Sequence, residues 1–221
     1  MYEGEFSNGH KNGKGKEYDN NGRLIFEGEY INGEKNGKYK EYYDNGILKY
    51  EGEYSNGFKN EKGKEYNENG DLLFDGRYVS GEKWIGKIKE YYENGNLKLE
   101  CEYINGEKNG KGKEYYENGQ LKFDGNYFNG VRKGKGKEYD INSLIKFEGE
   151  YSEGNRLRGK DYEYNDVGKI EFEGEYLDGN RWNGVIKQYD YDNIEIIYEE
   201  YIIEGKIINN LIWYLLAVLF I

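Results

Sequence analysis

The side chains able to do chemistry are few and scattered. His10 and Cys101 are the single histidine and the single cysteine of the chain, whereas a metal site needs three or four such ligands brought together. His10 falls in an expected inter-strand loop and reads as a solvated side chain; Cys101 reads as a replacement for a packing glycine. Carboxylates are plentiful, but pairs of the Glu27/Glu29 type stand two apart on one strand face. Acid/base catalysis needs groups held in an enclosed site in unlike environments, so these pairs read as charged surface. Gly106-Glu107-Lys108-Asn109-Gly110-Lys111 has the outline of a phosphate loop, yet it lacks the Ser or Thr after Lys and a following helix to hold the anion. Asp190-x-Asp192 begins like a calcium loop and then places Ile194 where a ligand oxygen belongs. No catalytic, metal-binding or cofactor-binding residue is assigned, no cofactor or small-molecule substrate is expected, and the chain reads as a non-enzyme.

Composition agrees with that reading. Across 221 residues the hydrophobic share is 36% and the mean hydropathy is -1.10, poor material for a layered globule. Disorder is the competing expectation, but 26 Tyr and a net charge of only -11 are foreign to disordered chains. The net acidity argues against nucleic acid as a partner, since a phosphate backbone is met by excess Lys and Arg. A single cysteine fits a reducing, intracellular and cytoplasmic location, and because the pattern is already running at Tyr2, no secretory leader is expected.

What positions the residues is a repeat. The phrase aromatic-acid-Gly-x-aromatic is anchored at Tyr2, Phe26, Tyr50, Phe74, Leu99, Phe123, Phe147 and Phe172, every 24 or 25 residues. A second series, Tyr18, Tyr42, Tyr66, Tyr91, Tyr115, Tyr139, Tyr164 and Tyr189, keeps the same phase. Within one unit, Leu121 to Tyr127 alternates apolar and polar as a half-buried strand does. Gly110 to Tyr116 is the second strand, Glu117-Asn118-Gly119 is the hairpin turn, and Asn105 to Asn109 is a longer link to the next unit. The expected fold is all-β: an elongated single-layer antiparallel β-meander of about eight β-hairpins over residues 1–204, followed by a hydrophobic C-terminal tail over 205–221.

Two registers compete. A two-residue Asn-Gly loop sets Lys113 opposite Asp124, Lys40 opposite Glu51, Lys38 opposite Glu53, Lys16 opposite Glu27 and Lys14 opposite Glu29, a ladder of unlike charges. A three-residue turn with a glycine bulge instead carries Tyr42 to the face of Leu48, Tyr50 and Tyr54. Burying a ring is worth about 1.5–3 kcal/mol against about 0.2–1 for an exposed pair, which favours the second. Because a single sheet has no covering layer, the rings must cover one another, and Tyr can do so while its hydroxyl stays wet.

These units resemble MORN repeats, in which a Tyr-x-Gly-x-aromatic strand is followed by a spaced glycine and a Gly-x-Gly strand. Here the pattern reads Phe26-Glu27-Gly28-Glu29-Tyr30, then Gly33, then Gly37-Lys38-Tyr39. The phrase around Tyr115-Tyr116-Glu117-Asn118-Gly119 is similar to the bacterial antitoxin-like MORN-variant subgroup. The resemblance covers about residues 2 to 200. Departures are Tyr or Phe where the second aromatic is often Trp, Cys101 for a strand glycine, Ser143 for a turn glycine, and a decayed eighth unit at Asp190 to Ile194. The resemblance implies a scaffolding or membrane-associated interaction module with a protein partner, and brings no catalytic residues.

Two features remain as contact candidates. The 25-residue units gain their extra residue in one loop, as Lys83-Trp84-Ile85, Arg156-Leu157-Arg158 and Arg181-Trp182-Asn183. Trp84, Leu157 and Trp182 are therefore partner-binding candidates, with capping of the aromatic row as the alternative. From Ile207 to Ile221 hydrophobicity rises where the repeats fail. A helix over those residues would be about 22 Å long against a hydrocarbon core of about 30 Å. Three readings stay open: a membrane-associated tail touching lipid through Leu211, Trp213, Tyr214, Leu215 and Phe220, an apolar cap on the last hairpin, or an altered reading frame. The functional expectation is a non-enzymatic scaffold or adaptor for protein–protein interaction; the alternatives are a membrane-anchored repeat module and an antitoxin-like inhibitor of an enzyme partner.

Overall fold

The computed structural model describes residues 1–190, 192 and 195–209. Every regular element among them is a strand, and the chain divides into two compact units, Met1–Gly110 and Lys111–Ile221. The first holds β1 (Tyr2–Ser7), β2 (His10–Tyr18), β3 (Leu24–Ile31), β4 (Glu34–Tyr42), β5 (Leu48–Ser55), β6 (Phe58–Tyr66), β7 (Leu72–Val79), β8 (Glu82–Tyr91) and β9 (Leu97–Ile104). β10 (Glu107–Tyr115) leads from the first unit into the second. The second continues with β11 (Leu121–Phe128), β12 (Val131–Tyr139), β13 (Ile145–Ser152), β14 (Asn155–Tyr164), β15 (Ile170–Leu177), β16 (Asn180–Tyr189), β17 (Ile196–Ile203) and β18 (Lys206–Asn209). From β1 to β9, and again from β11 to β18, each strand pairs antiparallel with the next in sequence, so each unit is a hairpin meander.

Two turn types alternate. The expected longer link is in fact the tighter turn: Asn32 and Gly33 take φ of 51° and 90°, and Asn105 and Gly106 take 54° and 84°. Two successive positive φ values make a type I′ turn, whose twist matches that of the strands, so Glu107 to Asn109 are already strand. His10 likewise stands in β2 opposite Ser7, not in a loop. The other turn has three residues: Tyr43 N–H bonds Ile47 C=O at 2.8 Å, Gly46 N–H bonds Tyr43 C=O at 2.8 Å, and Gly46 has φ of 82°.

The register combines features of both expectations. Lys40 faces Glu51, Lys38 faces Glu53, Lys16 faces Glu27 and Lys14 faces Glu29, as the charge ladder requires. Nearer the turn, Glu41 faces Tyr50 but Tyr42 faces Leu48, leaving Lys49 as a bulge. That bulge absorbs the third turn residue, so Tyr42 does not join Tyr50 and Tyr54. It stays on the charged face, where its hydroxyl donates to Glu27 at 2.7 Å.

The opposite face holds the core. Tyr50, Phe74, Phe123, Phe147 and Phe172 are the largest fully buried side chains. Each ring lies over a glycine pair on adjacent strands, such as Gly125 opposite Gly136 beneath Phe123. The first four also meet, edge to face, the second aromatic of the next hairpin, as in Tyr50 with Tyr78 at 5.5 Å and Phe123 with Tyr151 at 5.3 Å between centroids. Cys101 takes a glycine position, is buried opposite Ile88, and burial pushes its thiol up to about 11.

The expected boundary between repeats and tail, at 204/205, falls in the turn between β17 and β18. Leu211, Trp213, Tyr214, Leu215 and Phe220 lie outside the described residues. No helix among the described residues is long and apolar enough to cross a membrane.

Candidate interaction surface

Because side chains alternate across a strand, the acid and base flanking each core glycine stand on the face away from the rings. Read across the first unit, one such line runs Glu3, Lys16, Glu27, Lys40, Glu51, Lys64, Asp75, Lys87, each directly opposite the next. With glycine between this line and its neighbour, the backbone is left bare as the floor of an open trough of about 940 Å³, lined by Gly15, Gly28, Gly52, Gly63 and Gly76 and walled by Lys and Glu. The second unit has its own trough of about 860 Å³, floored by Gly125, Gly136, Gly149 and Gly159. The wall pairs are exposed, as in Lys64–Asp75 at 3.8 Å and Lys137–Glu148 at 3.0 Å, and each is worth about 0.2–1 kcal/mol.

A second charge system was missed in the sequence and lies on the ring face. Glu17, Glu41, Glu65, Glu90, Glu114 and Glu138 precede the second-anchor tyrosines, and a cation stands six residues before five of them, at Lys11, Lys35, Lys59, Lys108 and Arg132. Glu65 accepts from Lys83 at 2.6 Å and Tyr78 at 3.2 Å, both on the following hairpin, and lies 3.5 Å from Lys59 of its own strand. Glu138 repeats this with Arg156 at 2.6 Å, Tyr151 at 2.8 Å and Arg132 at 3.0 Å. Each cation also lies over a core ring, Lys35 at 3.0 Å from the centre of Phe26 and Arg132 at 4.0 Å from that of Phe123. Burial works to raise the pKa of Glu65, Glu114 and Glu138, but the hydrogen bonds and charges of their cations outweigh it, and all three carboxyls end below their usual range. Burial likewise raises Tyr78 and Tyr151, with the neighbouring carboxylate adding to it. These residues seal the rings and clip each hairpin to the next. The legible signal was the recurrence of Glu before the second-anchor tyrosine in seven of eight units and of a cation six residues earlier in the 24-residue ones, while the trough acids vary between Glu and Asp.

Trp84, Leu157 and Trp182 are not in loops. Arg77 faces Ile85 and Tyr78 faces Lys83, so Trp84 is a bulge inside β8. Leu157 and Trp182 are the same bulge in β14 and β16. Once the link tightens into a type I′ turn, the extra residue has nowhere else to go. The bulge carbonyls are used, Leu157 accepting from Asp178 N–H and Trp182 from Gly205 N–H, each at 2.8 Å. Trp84 is 43% exposed and Trp182 37%, while Leu157 is half-buried; Trp182 lines the trough of its unit.

Comparison with protein families places these hairpins. The pattern described as the MORN repeat variant matches residues 35–56, 85–105 and 108–129, and the MORN repeat pattern matches residues 2–22, 50–72 and 123–143. A comparison with curated proteins finds no match. With family matches over about half of the chain and glycine-seated aromatic hairpins throughout both units, the chain belongs to the MORN-repeat proteins.

Proposed function

We propose that the chain is a non-enzymatic interaction module whose troughs receive a protein partner. The observation that carries this reading is the division of labour between faces. The rings and the Glu65 and Glu138 clusters hold the hairpins together on one face, while on the other the charged walls take no part in that packing and stand open along the far side of the glycines that seat the rings. Exposed Trp84 and Trp182 beside regular strands supply apolar anchors. Affinity capture with the full chain tests it against two variants, Lys40→Glu with Lys64→Glu, and Trp84→Ala with Trp182→Ala. Loss of a captured protein in either variant is expected; an identical captured set in both overturns the reading.

A further inference from the structure

In the first unit the third hairpin breaks the repeat's own rules at adjacent positions. The left-handed place held by Gly13, Gly37, Gly110 and Gly134 is occupied by Glu61 at φ 57°, a conformation that L side chains resist. One residue on, Lys62 faces Arg77. The equivalent pairs elsewhere join unlike charges, as in Lys14 with Glu29, Lys38 with Glu53, Lys135 with Glu150 and Lys160 with Glu175. Like charges directly opposite destabilise a sheet, so both departures work against the hairpin. The exposed Glu61–Arg77 ion pair returns less than a left-handed L residue costs, and departures that cost more than they return mark positions kept for another purpose.

What they create is a line across four strands. Lys62 in β6 faces Arg77 in β7, Arg77 faces Ile85 in β8, and Ile85 faces Ile104 in β9. All four are exposed. Glu61 holds Arg77 through a 2.6 Å ion pair, while Lys62 has no ion-pair partner among the described residues. The line starts in the trough wall, which includes Lys62 and Arg77. Strands lie about 4.8 Å apart, so the centre of the cation pair and the centre of the isoleucine pair are about 10 Å apart, close to the about 9 Å rise of one three-residue turn of polyproline II chain, which returns side chains to the same side.

We propose that Lys62, Arg77, Ile85 and Ile104 dock a protein segment in polyproline II conformation bearing an Asp or Glu and, three residues along on the same side, a large apolar side chain. The carboxylate sits between Lys62 and Arg77 as a charge-assisted contact, and the apolar side chain covers Ile85 and Ile104, which stand 45% and 37% exposed. The proposal rests on the interaction-module reading above and names the chemistry of one partner.

The probe is a phage-displayed library of random twelve-residue peptides panned on the full chain, with the selected peptide then synthesised. Expected are selected sequences with an acid three residues from a large apolar side chain, whose affinity falls at least about tenfold in Arg77→Glu and in Ile85→Asn. Arg77→Glu gives Lys62 the acid that the equivalent lysines face in other hairpins but removes the Glu61–Arg77 ion pair, so urea midpoints are measured beside affinities. Ile85→Asn, at an exposed position, is expected to keep the parent midpoint while binding is lost, which separates docking from folding. Changing the peptide acid to Lys should recover binding to Arg77→Glu. Selected peptides that bind Arg77→Glu and Ile85→Asn as well as the parent overturn this site but leave the module reading standing. Failure to select any peptide overturns both. Co-sedimentation with phosphatidylserine vesicles that disappears in Arg77→Glu, with no peptide bound, assigns the cations to lipid and overturns the proposal.

Discussion

The guanidinium of Arg132 lies 4.0 Å from the centre of the Phe123 ring and at the same time bonds Glu114 at 2.7 Å and Glu138 at 3.0 Å. One side chain thus lies over a core ring and ties two successive hairpins through their carboxylates. Arg132→Met keeps most of the volume and removes the charge. It leaves Glu114 with Tyr127 and Glu138 with Arg156 and Tyr151, so the expected loss is about 1.5–3 kcal/mol, read from urea unfolding followed by far-UV circular dichroism. Arg132→Lys should lose less, since Lys35 and Lys59 fill the same place in other hairpins. A neutral Arg132→Met would show that the cation only decorates the ring.

The glycine beneath a ring can be tested separately from glycine's freedom in φ. A Cβ on Gly136 would stand 2.7 Å from a Phe123 ring carbon, and Gly136 is not among the positive-φ residues. Gly136→Ala should therefore cost about 1–3 kcal/mol through overpacking alone. Trimming the ring relieves the clash, so Gly136→Ala with Phe123→Leu should lose less than the sum of the two single changes. Strict additivity in thermal unfolding would mean that the ring does not rest on this glycine.

The hairpin meander and the ring-over-glycine packing were legible because aromatic, glycine and turn residues recur in phase; eight statements of one unit remove the ambiguity of a single strand. The register was legible only in halves. The sequence shows unlike charges in matching places, but whether Lys40 meets Glu51 or Tyr42 turns to the face of Leu48, Tyr50 and Tyr54 depends on where an unpaired residue is tucked, and Lys49 carries no sign of being a bulge. Trp84 and Trp182 were found as the extra residues of long units, yet their move from loop to strand follows from the handedness of the Ser80-Gly81 and Asp178-Gly179 turns, a backbone property. The half-buried Glu65 and Glu138 were hidden by their type, since Glu in an acidic chain reads as surface until its Tyr and cation partners are seen on the next hairpin.

Acid should loosen the hairpin stack, with a sign that can be worked out. The carboxyls of Glu65, Glu114 and Glu138 sit below their usual range when folded, so the folded chain binds fewer protons than the unfolded one near an ordinary Glu pKa of about 4.3. Their contribution is complete above that value and is lost as pH falls through the folded values. Asp161 has the opposite sign. Burial raises it in spite of Arg156 and Arg181, so its ionisation opposes folding and acid relieves that opposition. Glu138→Gln should flatten the loss of stability between about pH 5 and pH 3, and Asp161→Asn should steepen it. Parallel acid limbs for the parent and Glu138→Gln would remove this carboxylate from the account.

Ser143 occupies the glycine place of a three-residue turn at φ 68°, where Gly22, Gly46, Gly70, Gly95, Gly119 and Gly168 take 78° to 89°. Its neighbours behave as in the other turns: Asp140 accepts from Asn142 N–H at 2.9 Å and from Leu144 N–H at 2.8 Å. The turn therefore forms at the expense of a left-handed L residue, about 1–2 kcal/mol. Ser143→Gly removes that cost but adds freedom to the unfolded chain, worth about 0.5–1 kcal/mol. A net gain of about 0.5–1 kcal/mol is expected, seen as a higher thermal midpoint. Ser143→Ala is the control, because Ala resists the same φ without a hydroxyl. If Ala stabilises as much as Gly, the cause lies in the serine side chain and not in the backbone of this turn.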